Sequence, residues 1–186
     1  LKHYDIIFIG GGPAGYAGAL LAASLNRKVA VIERDKLGGT CLQRGCIPTK
    51  ALMQSVKALK TVRQGARLGL LCAEARLDGQ AMFKRKDRIV GKLTRGIESL
   101  FSKNGIDIYR GQAMIITPGV VTVAGGSPIR ADHLVIATGS RPLDLPFLAR
   151  DGKVILNSDD LLNLSEPASS TLVVGGGAIG LEWALI

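Results

Sequence analysis

The stretch from Tyr4 to Glu33 constrains the fold more than any other. Tyr4–Ile9 is a short apolar run of the length of a buried strand, and Gly10, Gly12 and Gly15 follow as G-x-G-x-x-G. Ala14–Leu25 is built of helix formers, and "KVAVIERD" is a second apolar strand closing on Glu33. Strand, glycine turn, helix and strand make a right-handed βαβ unit. Each glycine has its own task. The first permits the tight turn, the second lets backbone approach a pyrophosphate, and the third lets helix and strand pack closely. The helix start then offers unpaired N–H groups and a partial positive charge. Glu33 stands 18 residues past Gly15, where an acid accepts hydrogen bonds from ribose hydroxyls. The expectation is a dinucleotide site, against a plain glycine-rich turn.

The rest of the chain continues the α/β alternation. Leu52, Val56 and Leu59 share one side of a helix expected over 49–61, and residues 65–78 read as a connection. Met82, Ile89, Val90, Leu93, Ile97, Leu100 and Phe101 recur at helical steps over 81–101, with Gly105 as C-cap. Lys84, Arg85, Lys86 and Arg88 crowd the start of that helix. Without interleaved aromatics they read as a solvated face rather than a nucleic-acid surface, although the net charge is +9. Three β-type runs, 106–109, 113–117 and 120–123, are punctuated by Pro118-Gly119 and Gly125-Gly126. A buried strand over 133–137 runs into Thr138-Gly139. "NSDDLLNL" is a short helix capped by Ser158. "TLVVGGGAIGLEWALI" then repeats strand, G-x-G-x-x-G (Gly175, Gly177, Gly180) and helix start. A βαβ unit needs roughly thirty residues, so the second is about half present, and the expectation is a piece of a longer protein. No apolar run reaches membrane-span length and no leader pattern opens the chain. The expected location is cytoplasmic.

Two of the three cysteines lie in "GGTCLQRGCIPTKAL", at Cys41 and Cys46. Zinc needs about four ligands, and only Cys72, His3 and His133 remain as candidates, all distant in sequence. Inert core thiols fit poorly among Gly, Thr, Gln and Arg. A redox disulfide fits better. Residues five apart in a regular helix have Cα atoms about 8–9 Å apart, whereas a bridge tolerates about 7 Å. The bridge therefore needs a distorted turn, which Gly45 permits, and a locally distorted bridge is the reducible kind. Pro48 suits the first turn of the helix beyond, and a helix N-terminus favours thiolate chemistry. A dithiol needs an electron partner. A flavin at the first glycine turn, reduced or oxidised by a nicotinamide at the second, accounts for two fingerprints in one chain.

"GGTCLQRGCIPTKAL", "IGGGPAGY", "LVIATGSRP" and "LVVGGGAIGLE" stand in the order in which the flavoprotein disulfide reductases carry them. The chain resembles that family over essentially its whole length, most of all the dihydrolipoamide dehydrogenase branch. The resemblance implies an α/β fold. A Rossmann-like FAD-binding domain, a parallel sheet with helices and a small β-meander, would span 1–145. Residues 146–186 would hold a connection, then the first strand and helix start of a second Rossmann-like domain that binds NAD.

It also implies roles. Cys41 would be the interchange thiol and Cys46 the thiolate in charge transfer with the flavin. Lys50 would reach the flavin N5 edge, its buried ammonium paired with Glu182 across the domain boundary. Gly10, Gly12, Pro13, Ala14, Gly15, Glu33, Arg34, Gly39, Thr40, Ala113, Thr138, Gly139 and Ser140 would line FAD. Gly175, Gly177 and Gly180 would approach NAD. Ala178 stands where several relatives carry a tyrosine over the nicotinamide pocket, so the resemblance does not carry that gating role over to this chain. The family's His-Glu proton acceptor belongs to a C-terminal dimerisation domain, and neither His3 nor His133 matches it, so the 186 residues alone are expected to be inactive. The implied substrate is a lipoyl group of a 2-oxoacid dehydrogenase or glycine cleavage complex, and the implied whole protein is a homodimer, with no nucleic acid and no membrane among its partners. A mercuric or other flavoprotein disulfide reductase, or a non-catalytic flavin-binding redox module, are the alternatives.

Overall fold

A computed structural model describes residues 1–69, 71 and 74–186; Cys72 lies outside them. The chain divides into two compact units, Leu1–Gln43 with Gly91–Arg141 and Arg44–Val90 with Pro142–Ile186.

The first unit is built on β1 (Lys2–Ile9), α1 (Pro13–Ser24), β2 (Val29–Glu33), β3 (Asp107–Arg110), β4 (Ala113–Thr117), β5 (Val120–Val123) and β6 (Ile129–Ile136). The sheet order is β3-β2-β1-β6-β5-β4. β1 pairs in parallel with β2 and β6, and β2 with β3. β4 and β5 form an antiparallel meander that joins β6. β1 sits in the middle with α1 against it, and after two exposed residues its burial deepens along the strand, with Tyr4 and then Ile7, Phe8 and Ile9 buried. Tyr4, Ile7, Ile9, Ala30, Ile32, Val121, Ile129 and Ala131 form the core of this unit.

β6 begins at Ile129, four residues before the expected 133. Arg130 and Asp132 hide the start, because they point outward between buried Ile129 and Ala131. This alternation marks a strand with one face packed.

Near the start of β1, the Tyr4 hydroxyl donates to Asp107 Oδ2 at 2.7 Å and meets the Tyr109 hydroxyl at 2.7 Å. Lys2 Nζ reaches the same Asp107 oxygen at 2.9 Å. This network joins β1 to the edge strand β3.

The second unit is helical. α2 (Gly39–Arg44) ends where the unit begins, and α3 (Cys46–Arg63) starts three residues earlier than the expected 49. Pro48 does not open the helix but fits within its first turn, where its missing N–H costs nothing. A 3-10 turn (Gly65–Leu68) follows. α4 (Gly79–Lys103) runs from this unit into the first. It ends as expected at Gly105, with φ +64° and with Ile106 N–H returning to Phe101 O at 3.0 Å. α5 (Ser158–Leu161) and α6 (Ala178–Ala184) complete the unit. Leu52, Met82, Phe83 and Leu162 form its core, with Trp183 and Ile186 packed on it.

Three expectations need correction here. Asn157, not Ser158, caps α5: its side chain accepts from Asp159 N–H and Asp160 N–H, and Asp160 returns the bond to Asn157 N–H. The run 171–174 belongs to no strand, and Leu172 and Val174 are exposed. A strand exists only against a ladder partner, and the described residues offer it none.

Nor is the basic start of α4 a solvated face throughout. Lys84 and Arg88 are exposed, but Arg85 Nη1 donates to Ala51 O at 2.8 Å and Lys86 is 6% exposed. Lys86 Nζ donates to Leu162 O and pairs with Asp87 at 2.9 Å. Its aliphatic stem supplies core packing that a charge count overlooks. Among the described residues, no helix is long and apolar enough to cross a membrane.

Candidate functional site: two glycine turns, a cysteine pair and an ion pair

The first glycine turn separates what the fold needs from what a ligand needs. Gly10 has φ +109°, and a Cβ there would lie 2.2 Å from Ala137 O. A Cβ on Gly15 would lie 1.8 Å from Gly10 O. Both positions must be glycine for β1, α1 and the end of β6 to meet. Gly12 differs. Its φ is −75° and ψ −170°, and a Cβ would meet only Gly39 Cα at 3.5 Å, an ordinary contact. Nothing among the described residues demands glycine there, so the Gly12 backbone has room for a group from outside the chain. α1 has Pro13 in its first turn, no side-chain cap and no acidic residue in that turn. Its N–H groups and positive end therefore remain available to an anion.

Glu33 closes the same site. Its Oε2 accepts Gly11 N–H at 2.7 Å and its Oε1 accepts Asp35 N–H at 2.9 Å. A carboxylate has about four lone-pair sites, so about two stay open for hydroxyl donors. Arg34 beside it is exposed. Gly39, with φ +59°, brings the start of α2 against Gly12 and Pro13, and Thr40 follows it. Thr138, Gly139 and Ser140 leave β6 directly beyond Ala137, which abuts Gly10. Gly10, Gly12, Pro13, Gly39 and Thr138 thus converge on one turn, with Ala14 and Gly15 entering α1 and Glu33 anchored through Gly11. Ala113 does not join them; it stands on β4, three strands from β1, and packs on the sheet core.

The cysteine segment is two helices broken at Gly45, whose φ −142° and ψ −112° belong to neither helix nor strand. Cys41 lies in α2 and is half-buried; Cys46 opens α3 and is exposed. Gln43 Nε2 donates to Leu37 O at 2.6 Å and to Thr94 Oγ1 at 2.8 Å, which fixes the turn that carries Cys41. His3 and His133 sit on the sheet, with His3 Nε2 2.9 Å from Asp132 Oδ1.

Lys50 and Glu182, 132 residues apart, are brought together: Lys50 Nζ donates to Glu182 Oε1 at 2.7 Å. The lysine side chain is 60% exposed, so the buried ammonium expected from the sequence is not found.

The second glycine turn repeats the first in detail. Gly175 has φ +114°, a Cβ on Gly180 would lie 2.3 Å from Gly175 O, and Gly177 has nothing within 4 Å of where a Cβ would stand. Gly177 caps α6 at φ −75° and ψ 174°, close to the geometry of Gly12. Two sequence-distant turns therefore share one device: two glycines required by the backbone flank one that the backbone could spare.

The family model described as pyridine nucleotide-disulphide oxidoreductase matches residues 4–186. The chain belongs to that family. Two dihydrolipoyl dehydrogenases of Bacillus subtilis are 42% and 44% identical over 98% and 96% of this chain. One from Acholeplasma laidlawii is 38% identical over all of it. The chain spans 41%, 40% and 56% of their respective lengths. Among solved structures, the HOCl-induced flavoprotein disulfide reductase RclA from Escherichia coli, as its Cu(II) complex, superposes with a TM-score of 0.82 at 28% identity. That superposition covers 99% of this chain and 40% of the other.

Within this oxidoreductase family fold, four residues without a sequence signal shape the site. Gly38, with φ +108°, donates its N–H to Gly11 O at 2.8 Å and ties the cysteine segment to the first turn. Gln43 is a polar residue in a helix whose partners come from afar. Arg44, between the cysteines, lies 3.7 Å from Asp159. Lys86 anchors the end of α5. The double glycine at 38–39 was the sole hint for the first, and nothing in local pattern marks the others.

Proposed function

We propose that the protein to which this chain belongs is an FAD-dependent dithiol/disulfide oxidoreductase of the dihydrolipoamide dehydrogenase type. In this reading residues 1–145 bind FAD and 146–186 connect to and begin the NAD domain. The observation that carries it is the Lys50–Glu182 contact, because it unites a residue four past Cys46 with one two past the second glycine motif. Identities of 42% and 44% to dihydrolipoyl dehydrogenases, against 28% to RclA, favour that branch of the family.

The residues fit the cofactor's chemistry. Gly12 and the uncapped start of α1 receive the FAD pyrophosphate, and the open lone pairs of Glu33 receive the ribose hydroxyls. Bound flavin supplies two-electron exchange between a dithiol and a nicotinamide. Cys41 is the interchange thiol that attacks the substrate disulfide or is attacked by the substrate dithiol, and Cys46 is its resolving partner on the flavin side. Lys50 holds positive charge close to Cys46 in sequence, and Glu182 sets its direction. Gly177 and the start of α6 face the nicotinamide dinucleotide, taken to be NAD. The substrate is a lipoyl group, as the names of the dihydrolipoyl dehydrogenase relatives suggest, carried by a 2-oxoacid dehydrogenase or glycine cleavage complex, and by the family resemblance the whole protein works as a cytoplasmic homodimer.

The test is chemical. The chain, treated with glutathione disulfide and then alkylated, should yield one linked peptide joining Cys41 to Cys46, and dihydrolipoamide should reopen it. Two fully alkylated cysteines after oxidation would refute the redox pair.

A further inference from the structure

Glu33 enters the first glycine turn with each carboxylate oxygen already accepting one backbone N–H. Oε2 takes Gly11 N–H at 2.7 Å and Oε1 takes Asp35 N–H at 2.9 Å. Gly11 belongs to the turn between β1 and α1, but Asp35 lies past the end of β2, in the segment that leads to α2. The direction of the carboxylate therefore depends on where the Asp35 peptide stands. That peptide is held from its other side as well. Arg110 Nη1 donates to Asp35 O at 3.1 Å, and Arg110 Nη2 donates to Glu98 Oε1 at 2.6 Å. Arg110 closes β3 directly opposite Glu33 in the parallel ladder, and Gly111 N–H donates to Glu33 O at 2.9 Å. Glu98 comes from α4. All of these residues lie within the first compact unit.

We propose that Arg110 is a positioning residue for cofactor recognition: anchored by Glu98, it fixes the Asp35 peptide and so aims the Glu33 carboxylate at the hydroxyls of the cofactor's adenosine ribose. The proposal rests on the reading of Glu33 as the ribose acceptor. A guanidinium suits the task because its planar fork serves two acceptors in fixed directions, whereas an ammonium is a point charge on a flexible stem. Glu98 gives that fork a charge-assisted anchor. Without Arg110 the Asp35 carbonyl loses this donor, the bend relaxes, and Oε1 keeps its N–H only by turning with it. A hydrogen bond weakens as its angle departs from the preferred range. The loss falls on the ribose hydroxyls and not on the pyrophosphate, which rests on Gly12 and the start of α1.

The experiment titrates the 186-residue chain with FAD and with the analogue of FAD that carries 2′-deoxyadenosine, follows flavin fluorescence, and reads the ratio of the two dissociation constants. The parent should bind FAD about tenfold more tightly than the analogue, the worth of one hydrogen bond to a charged acceptor. The Arg110 and Glu98 side chains are 46% and 40% exposed, so their hold is that of a screened pair. Arg110→Ala should lower the ratio about two- to fivefold and leave the affinity for the analogue as it was. Glu98→Gln should move the ratio in the same direction, the double variant should fall no further than Arg110→Ala, and Arg110→Lys should recover part of the loss. A merely structural role would lower the melting temperature and weaken both ligands alike. An unchanged ratio, or equal weakening of FAD and the analogue, overturns the aiming role while leaving Glu33 as the ribose acceptor. A parent chain that does not distinguish FAD from the analogue overturns both.

Discussion

The first glycine turn offers a substitution pair that separates folding from ligand binding. Gly15→Ala places a methyl 1.8 Å from Gly10 O, a backbone atom that cannot rotate away. α1 must move off the turn, and overpacking of this kind costs about 3 kcal/mol. For a chain of this size that lowers the melting temperature by roughly 6–12 °C. Gly12→Ala places its methyl 3.5 Å from Gly39 Cα with φ at −75°. The lost capping preference is offset by reduced freedom of the unfolded chain, so stability should stay within about 0.5 kcal/mol. A pyrophosphate against the Gly12 backbone has no room for that methyl, so the same variant should bind FAD at least about tenfold more weakly, ~1.4 kcal/mol. Thermal melts followed by circular dichroism give the first quantity, and titration with FAD followed by flavin fluorescence gives the second. A Gly12→Ala chain that binds FAD like the parent would refute the placement of the pyrophosphate. A Gly15→Ala chain that melts with the parent would refute the reading of the turn itself.

Tyr4→Phe removes a hydroxyl from a side chain with 0% exposure and deprives Asp107 of one of its donors. The expected loss is about 2 kcal/mol near neutral pH, read by urea denaturation. The Tyr4 hydroxyl first, and Lys2 second, hold the Asp107 carboxyl below its ordinary value. A depressed carboxylate contributes its stability above the unfolded value and loses it as pH falls through the folded one. The gap between parent and variant should therefore narrow below about pH 4, and a gap that widens there would contradict the network. Lys86→Met leaves the Leu162 carbonyl without its donor and should cost about 1–2 kcal/mol. Trp183, the one tryptophan, packs on that core, so its fluorescence should shift to the red as α5 loosens; an unchanged emission would count against Lys86 as the anchor.

Most of the sheet unit was legible in the residues because its signals are local. β1, the glycine turn, α1 and β2 follow from apolar runs and from three glycines, two of which the backbone requires outright. The meander followed from Pro118-Gly119 and Gly125-Gly126. What escaped depends on partners remote in sequence. The run 171–174 has the composition of a strand but no neighbour, and composition does not supply a ladder. Lys86 looks like its charged neighbours until Leu162, 76 residues on, offers a carbonyl. The cap of α5 slipped by one residue because Asn157 and Ser158 are both good caps, and only Asn157 has an acid three positions later to return the bond. The Lys50–Glu182 pairing came from family resemblance, while its exposure depends on what covers α3.

The central claim is that the Cys41–Cys46 pair exchanges electrons with a flavin held at the first glycine turn. The most direct measurement is an anaerobic two-electron titration of the FAD-loaded protein, followed across the visible spectrum. A long-wavelength thiolate–flavin band should rise on the first two electrons and be absent from the Cys46→Ser variant. Flavin that bleaches without that band, or a band that survives Cys46→Ser, would contradict it.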